Sequence, residues 1–406
     1  MHFDGDLYLW IMQPIEFIAY YYYSTAYYIL LLILSWVTTL YYVGSNTQSL
    51  LHKENDDPSQ MMAVILTLVM AVFIGLRPIA PDFGDMGNYA EGYKNLPSLM
   101  AMRTPDFKSE WFWYDLQIIC KFILKFNEYE FFLMVSLVYY GGMLICSFML
   151  LRKNLWLSIL FFLTSFQTYS FATNGIRNGL ACSVVLIAVG IICDKRKLTI
   201  ISLVLMYLAL GIHRSTMLPT AATIASLFVI KDTKMALRFW IASIAISLVA
   251  GHAVENFFGS LGFDDRMSTY SEGQHNEKVQ ATFSHSGFRW DFLSYSIFAV
   301  VMIWYVTQRR YFKDKTFNII ANTYLLCNAF WIMVIRASFS NRFAYLSWFL
   351  YPLVLAYPLM RMNLWKDQDR KTSIIFFLYS AFTFFMFFVY YYGSTGFKGF
   401  NQYWWK

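Results

Sequence analysis

Arginine is the residue type that this sequence places where anion chemistry would need it. Arg77, Arg177, Arg214, Arg289, Arg336 and Arg342 each stand at, or within a turn of, the end of a long apolar run. A guanidinium stays charged at any relevant pH, and its planar fork matches two phosphate oxygens. Several of them together would suit a diphosphate. Long cations also snorkel to lipid headgroups, and that reading competes for each arginine taken singly. Arg177 opens its run as Asn174-Gly175-Ile176-Arg177, so helix N-terminal amides can join it in holding an anion. Arg336 and Arg342 bracket the short turn 337–341.

Carboxylates and one histidine accompany the arginines. Asp82 and Asp85 follow Arg77, Glu110 precedes an aromatic stretch, and Asp115 lies one turn later. A carboxylate beside a cationic pocket can orient or deprotonate a hydroxyl. The plainer reading is a loop charge paired with Lys94, Arg103 or Lys108. His213 ends an apolar run as Gly-Ile-His-Arg-Ser, where it can be a base, a donor to phosphate, or only a helix cap. The spacing of Asp82 and Asp85 is not the Asp-x-Asp of nucleotide-sugar sites, and His252, His275 and His285 do not have metal-ligand spacing. No metal and no cofactor are expected. Walker, dinucleotide-glycine and Gly-x-Ser-x-Gly patterns do not occur in the sequence.

The elements that must position these groups are membrane spans. The chain has 406 residues, 58% hydrophobic and only 14% charged, with a mean hydropathy of +0.44. A soluble chain would carry about 25% charged residues. Apolar runs at 25–43, 61–76, 131–151, 155–173, 176–193, 198–212, 215–230, 235–254, 290–306, 317–335, 343–360 and 373–392 read as about twelve transmembrane helices. The fold class is thus all-α: a polytopic helical bundle in a single membrane domain, 1–406, with two long loops at 77–130 and 257–289. The stretch 111–126, apolar on one side with Lys121 and Lys125 on another, is expected to lie in the interface. Aromatics such as Tyr20–Tyr23 and Tyr41–Tyr42 mark headgroup depth.

Charge orients the bundle. Arg152 and Lys153; Lys195, Arg196 and Lys197; Lys231, Lys234 and Arg238; Arg309, Arg310, Lys313 and Lys315; and Arg361, Lys366, Arg370 and Lys371 fall in alternate short loops. The positive-inside rule makes that side cytoplasmic. Both long loops, both termini and the arginines above are then extracytoplasmic. The acidic start, Met1–Asp6, has no basic n-region and does not read as a cleavable signal. Five cysteines without paired spacing argue against a disulfide framework.

An ordered set of motifs between Arg77 and Tyr345 resembles the EpsG family of Wzy-like polysaccharide polymerases. Arg77 is followed by Gly84-Asp85 and Tyr89, similar to the family's Arg, Gly-x-Asp and Tyr. Glu110 precedes an amphipathic helix. Ile176-Arg177-Asn178-Gly179-Leu180-Ala181 resembles Arg-Gln-x-x-Ala, and Ile212-His213-Arg214-Ser215 resembles Phe-His-x-Ser. Asn341-Arg342-Phe343-Ala344-Tyr345 is similar to the late Arg and aromatic. Gly84 directly precedes Asp85 here, Asn178 replaces Gln, and Ile212 replaces Phe.

The resemblance implies an enzyme of the bacterial cytoplasmic membrane, active on its outer face. It would transfer a growing glycan from its polyprenyl diphosphate to a hydroxyl of another lipid-linked repeat unit. Arg177, Arg336 and Arg342 would bind diphosphate, helped by Arg77 and Arg214, and His213, Asp85 or Glu110 would activate the acceptor. Expected partners are the lipid-linked donor and acceptor, membrane lipid, a chain-length regulator and a flippase; nucleic acid is not expected. The rivals are an O-antigen ligase-like transferase, a flippase or exporter of lipid-linked oligosaccharide, and a membrane acyltransferase. Span middles such as 201–210 and 241–250 carry no charge, which disfavours transport.

Overall fold

Long apolar segments become helices in a membrane because only helices, or closed barrels, satisfy every backbone group without water. The computed structural model describes residues 15, 18–44, 49–52, 58–106, 109–260, 288–336 and 340–390, and every regular element among them is helical. The main helices are α1 Tyr23–Val43, α2 Ser59–Gly75, α3 Met86–Lys94, α4 Trp111–Ile118, α5 Glu128–Leu151, α6 Leu155–Leu163, α7 Thr168–Thr173, α8 Ile176–Lys195, α9 Ile200–Ile212 and α10 Met217–Phe228. They continue as α11 Thr233–Ser260, α12 Trp290–Trp304, α13 Lys315–Met333, α14 Ser340–Trp348, α15 Tyr351–Arg361 and α16 Gln368–Phe385.

Seven helical stretches among the described residues are long and apolar enough to cross a membrane. The sequence led us to expect about twelve, a count that these seven do not confirm; the run at 317–335 forms the 19-residue α13 but is not apolar enough to count, and the other four unmatched runs have a geometric cause. The runs at 61–76, 198–212 and 215–230 become helices of 17, 13 and 12 residues. At 1.5 Å per residue these are shorter than a hydrocarbon core of about 30 Å. The run at 155–173 is not one helix but two, α6 and α7. Most of the loop 257–289 and of the turn 337–341 lies outside the described residues.

The break between α6 and α7 is built without glycine or proline. Gln167 adopts a left-handed backbone, φ 77°. Buried polar groups take up the interrupted helical bonds. Tyr27 Oη donates to Leu163 O at 2.8 Å, Thr168 Oγ1 donates to Phe162 O at 2.9 Å, and Phe166 N donates to Tyr295 Oη at 3.1 Å. Irregular backbone at membrane depth persists only where protein groups bond it in this way.

Two stretches form the centre. The most apolar window of Ile176–Lys195 is 83% buried inside the protein, and that of Arg342–Arg361 is 100% buried. Each begins with an arginine in its first turn, Arg177 and Arg342. Asn178 Nδ2 donates to Arg342 O at 3.3 Å. Tyr345 stacks on Phe171 with centroids 3.6 Å apart, and the Tyr139 and Tyr345 hydroxyls are 2.6 Å apart. These contacts bring the two helix starts and α7 to one end of the bundle.

The described residues of the loop 77–130 pack on that end. Lys121, expected on a polar outer face, instead donates to the carbonyls of Tyr93, Lys94 and Leu96 at 3.2, 2.6 and 3.3 Å. A cation is favourable at such a helix C-terminus, so this stretch is clamped to α3. Asn127 and Glu130 form a reciprocal cap that starts α5.

Candidate active site

A cleft of about 420 Å³ opens at the end of the bundle where α7, α8 and α14 meet. Its lining includes Asp85, Tyr89, Phe171, Asn174, Arg177, Asn178, His213 and Arg342. Four separate parts of the chain supply these groups, so only the folded bundle assembles the site.

Glu110 is the hub. One carboxylate oxygen accepts from Arg177 Nη1, and the other lies 3.5 Å from His213 Nδ1. All three side chains are mostly buried, at 24%, 18% and 16% exposure for Glu110, Arg177 and His213. Arg177 also donates from Nε to Tyr89 Oη at 3.2 Å. His213 Nδ1 sits 2.9 Å from Ser215 Oγ. Local packing explains how Glu110 meets His213. Gly211, two residues before the histidine, lies against the first turn of α4: a Cβ there would sit 2.7 Å from Phe112 Cβ and 2.9 Å from Trp111 Nε1. Only glycine lets the end of α9 approach the residue that precedes α4.

Asp85 forms the second pair, with Arg342 Nη2 at 3.5 Å. Its backbone N–H donates to Asn174 Oδ1 at 3.0 Å. Gly84 makes that bond attainable. It has φ 61° and ψ −120°, a region essentially restricted to glycine. A Cβ there would sit 2.8 Å from Asn174 Nδ2 and closer still to that side chain's Cγ and Oδ1. The glycine directly before Asp85 thus has a structural reason.

The remaining sequence-derived candidates sit elsewhere. Arg77 is 1% exposed and donates to Ile74 O at 2.6 Å and Thr173 O at 3.0 Å. Rings of Phe83 and Phe132 flank it at 5.4 and 5.7 Å. Burial pushes its guanidinium down to about 10, which leaves it charged at neutral pH. Arg77 therefore ties the ends of α2 and α7 together, one residue from Asn174. Arg336 donates to Ser247 O and lies 5.3 Å from the Phe288 ring; it does not line the cleft, and neither does Arg214. Arg289 forks onto Asp291 at 2.9 and 2.6 Å. Asp115 is 3% exposed and accepts from the Arg103 backbone N–H at 2.8 Å, a structural role, though not the ion pair weighed for it above. Among the described residues no three His, Cys, Asp or Glu side chains gather into a metal-holding group.

Sequence reasoning gave Tyr89 no role beyond a motif position and did not single out Asn174 or Asn178 as site residues. Asparagine just before and just inside a helix start, beside an arginine, was the available signal.

Apolar helices around a cleft of paired arginines and carboxylates define a membrane-embedded protein with two arginine–carboxylate pairs at one end of its bundle. The chain belongs to the EpsG family, whose model matches residues 60–405. EpsG-like proteins are Wzy-like polymerases, and the family is one of membrane proteins of polysaccharide biosynthesis. No curated protein and no solved structure matches the chain.

Proposed function

We propose that this protein polymerises polyprenyl-diphosphate-linked oligosaccharide repeat units on the extracytoplasmic face of the bacterial cytoplasmic membrane. The carrying observation is the cleft in which Arg177 and Arg342, each paired to a carboxylate, stand beside His213. With no substrate, Glu110 and Asp85 neutralise the two guanidinium groups. A diphosphate donor replaces them as the acceptor of the arginine hydrogen bonds. The displaced carboxylates are then available to the incoming sugar.

In the reaction the acceptor hydroxyl oxygen forms a bond to the anomeric carbon of the donor glycan. The bond from that carbon to the diphosphate breaks, and the lipid diphosphate leaves with both electrons. Arg177 and Arg342 stabilise its developing charge, where preorganised donors act most strongly. The hydroxyl proton goes to His213, oriented through Nδ1 by Glu110 and Ser215. Asp85 holds Arg342 in place until the donor displaces it. In this reading Arg77 acts as scaffold, and Arg336 and Arg214 stay outside the cleft lining. The full count of about twelve spans belongs to this proposal as well.

Transport of the same lipid-linked substrate is disfavoured. The buried charged side chains among the described residues are Arg77, Asp115 and Asp369. Arg77 and Asp369 stand at helix ends and Asp115 lies in the short loop helix α4, so none marks a path through the bundle centre.

The test is a deletion strain examined for glycan length. Loss of the ladder with a single repeat unit remaining supports polymerisation, and Arg177→Ala and Arg342→Ala should each reproduce it while the protein still inserts. Persisting ladders in both variants would overturn the site. Lipid-linked units accumulating on the cytoplasmic side would favour the flippase.

A further inference from the structure

A second concavity has different chemistry. An open groove of about 930 Å³ runs between α12 and α16, floored by α15, with a lining that is almost wholly aromatic and aliphatic. Its lips are exposed, with Val301 at 52% and Leu378 at 60%. Both flanking helices belong to stretches long enough to cross a membrane, Trp290–Arg309 and Gln368–Val389, so the groove faces lipid.

Its length and polarity are informative. Along α12 the lining runs from the fully buried Tyr295 to Tyr305, which with Trp365 forms the end nearest the basic loops, its mouth. Ten residues of helix separate Tyr295 from Tyr305, or about 15 Å, half of a hydrocarbon core of about 30 Å. The groove therefore spans a single leaflet. At its mouth the Trp365 indole N–H donates to Tyr305 Oη at 2.8 Å, and Lys371 Nζ stands 5.6 Å from the Trp365 ring. Arg309, Arg310, Lys366 and Arg370 are exposed within five residues of Tyr305 or Trp365 along the chain. The acids nearby are engaged: Asp367 pairs with Lys371 at 2.8 Å, and Asp369 is buried and accepts from Leu50 N at 3.1 Å. The mouth is therefore net basic. It lies at the end of the bundle away from the cleft, since α8 runs from Arg177 at the cleft to Lys195 in a basic loop of the same set.

We propose that this groove binds an anionic phospholipid of the leaflet on the basic-loop side. An acyl chain fills the single-leaflet groove, and the headgroup phosphate is held by the basic loops at its mouth. Basic pockets between spanning helices on the cytoplasmic side favour such headgroups. The donor's lipid is not the occupant, because its diphosphate would be at the other end. This site does not depend on the polymerase reading.

The experiment is native mass spectrometry of the full-length, delipidated protein with phosphatidylglycerol or phosphatidylcholine added. Wild type should retain phosphatidylglycerol at least about tenfold better. Leu378→Trp, filling the groove, should lower retention of both lipids by about tenfold or more. Arg309→Gln with Lys366→Gln should remove the preference, about fivefold per cation. A photoreactive acyl phosphatidylglycerol should label wild type at residues 298–305 and 375–382, which serves even where a variant fails to fold. Equal retention of the two lipids, labelling elsewhere, or a dimer that covers the groove would overturn the proposal.

Discussion

Neutralising Glu110 should separate binding from turnover in opposite directions. Glu110→Gln keeps size and one acceptor but removes the charge that holds Arg177 and faces His213. A hydrogen bond to a charged group contributes about 1.5–3 kcal/mol and a neutral one about 0.5–1.5. The competition that Glu110 exerts for Arg177 thus falls by about 1–1.5 kcal/mol, with both side chains under a quarter exposed. Donor affinity should rise about fivefold to tenfold. Turnover should fall about 10²-fold or more, the scale of a positioned general base, since His213 loses the anion that orients Nδ1. The assay is ladder formation in proteoliposomes at varied concentrations of lipid-diphosphate repeat unit, read as KM and kcat. A lower kcat with a lower KM fits this reasoning. A raised KM with unchanged kcat would refute it and make Glu110 a substrate-binding group.

Arg342→Lys retains charge but loses the fork, and donor KM should rise about tenfold in the same assay. Gly84→Ala should cost about 1–3 kcal/mol in backbone strain and displace Asn174, so polymer is lost before thermal stability falls far. Adding Asn174→Ala should recover the stability lost to the clash but not the activity. Arg77→Met leaves the carbonyls of Ile74 and Thr173 without their donor; about 3 kcal/mol of stability should go, read as a lower Tm and less protein in the membrane. Arg336→Gln should leave donor KM within about threefold of wild type, because its partner is Ser247 O in the wall of α11.

Much of the site was legible because charge is costly in an apolar chain, so each arginine at a span end stood out. Arg177, Arg342, Asp85, Glu110 and His213 were selected on residue type and order, and they converge. Arg336 and Arg77 were selected by the same signal and sit apart, since a guanidinium satisfies backbone carbonyls at a helix end as well as it satisfies phosphate. The partners that hold the site, Asn174 and Tyr89, are neutral and had no such mark. The helical class followed from hydropathy, whereas the break after Leu163 did not. An apolar run reads as one span by composition, and only the polar group Thr164, Ser165, Gln167 and Thr168 within it hinted that side chains would replace the ladder. That break carries Ser170 and Phe171 into the cleft lining.

The central claim is that Arg177 and Arg342 exchange their carboxylate partners for one diphosphate. A structure of the protein in a lipid bilayer with a polyprenyl diphosphate bound tests it directly. Both guanidinium groups should lie within hydrogen-bond distance of the diphosphate oxygens, with the Arg342–Asp85 pair opened beyond its present 3.5 Å. A diphosphate bound at a different surface, with both pairs intact, would contradict it.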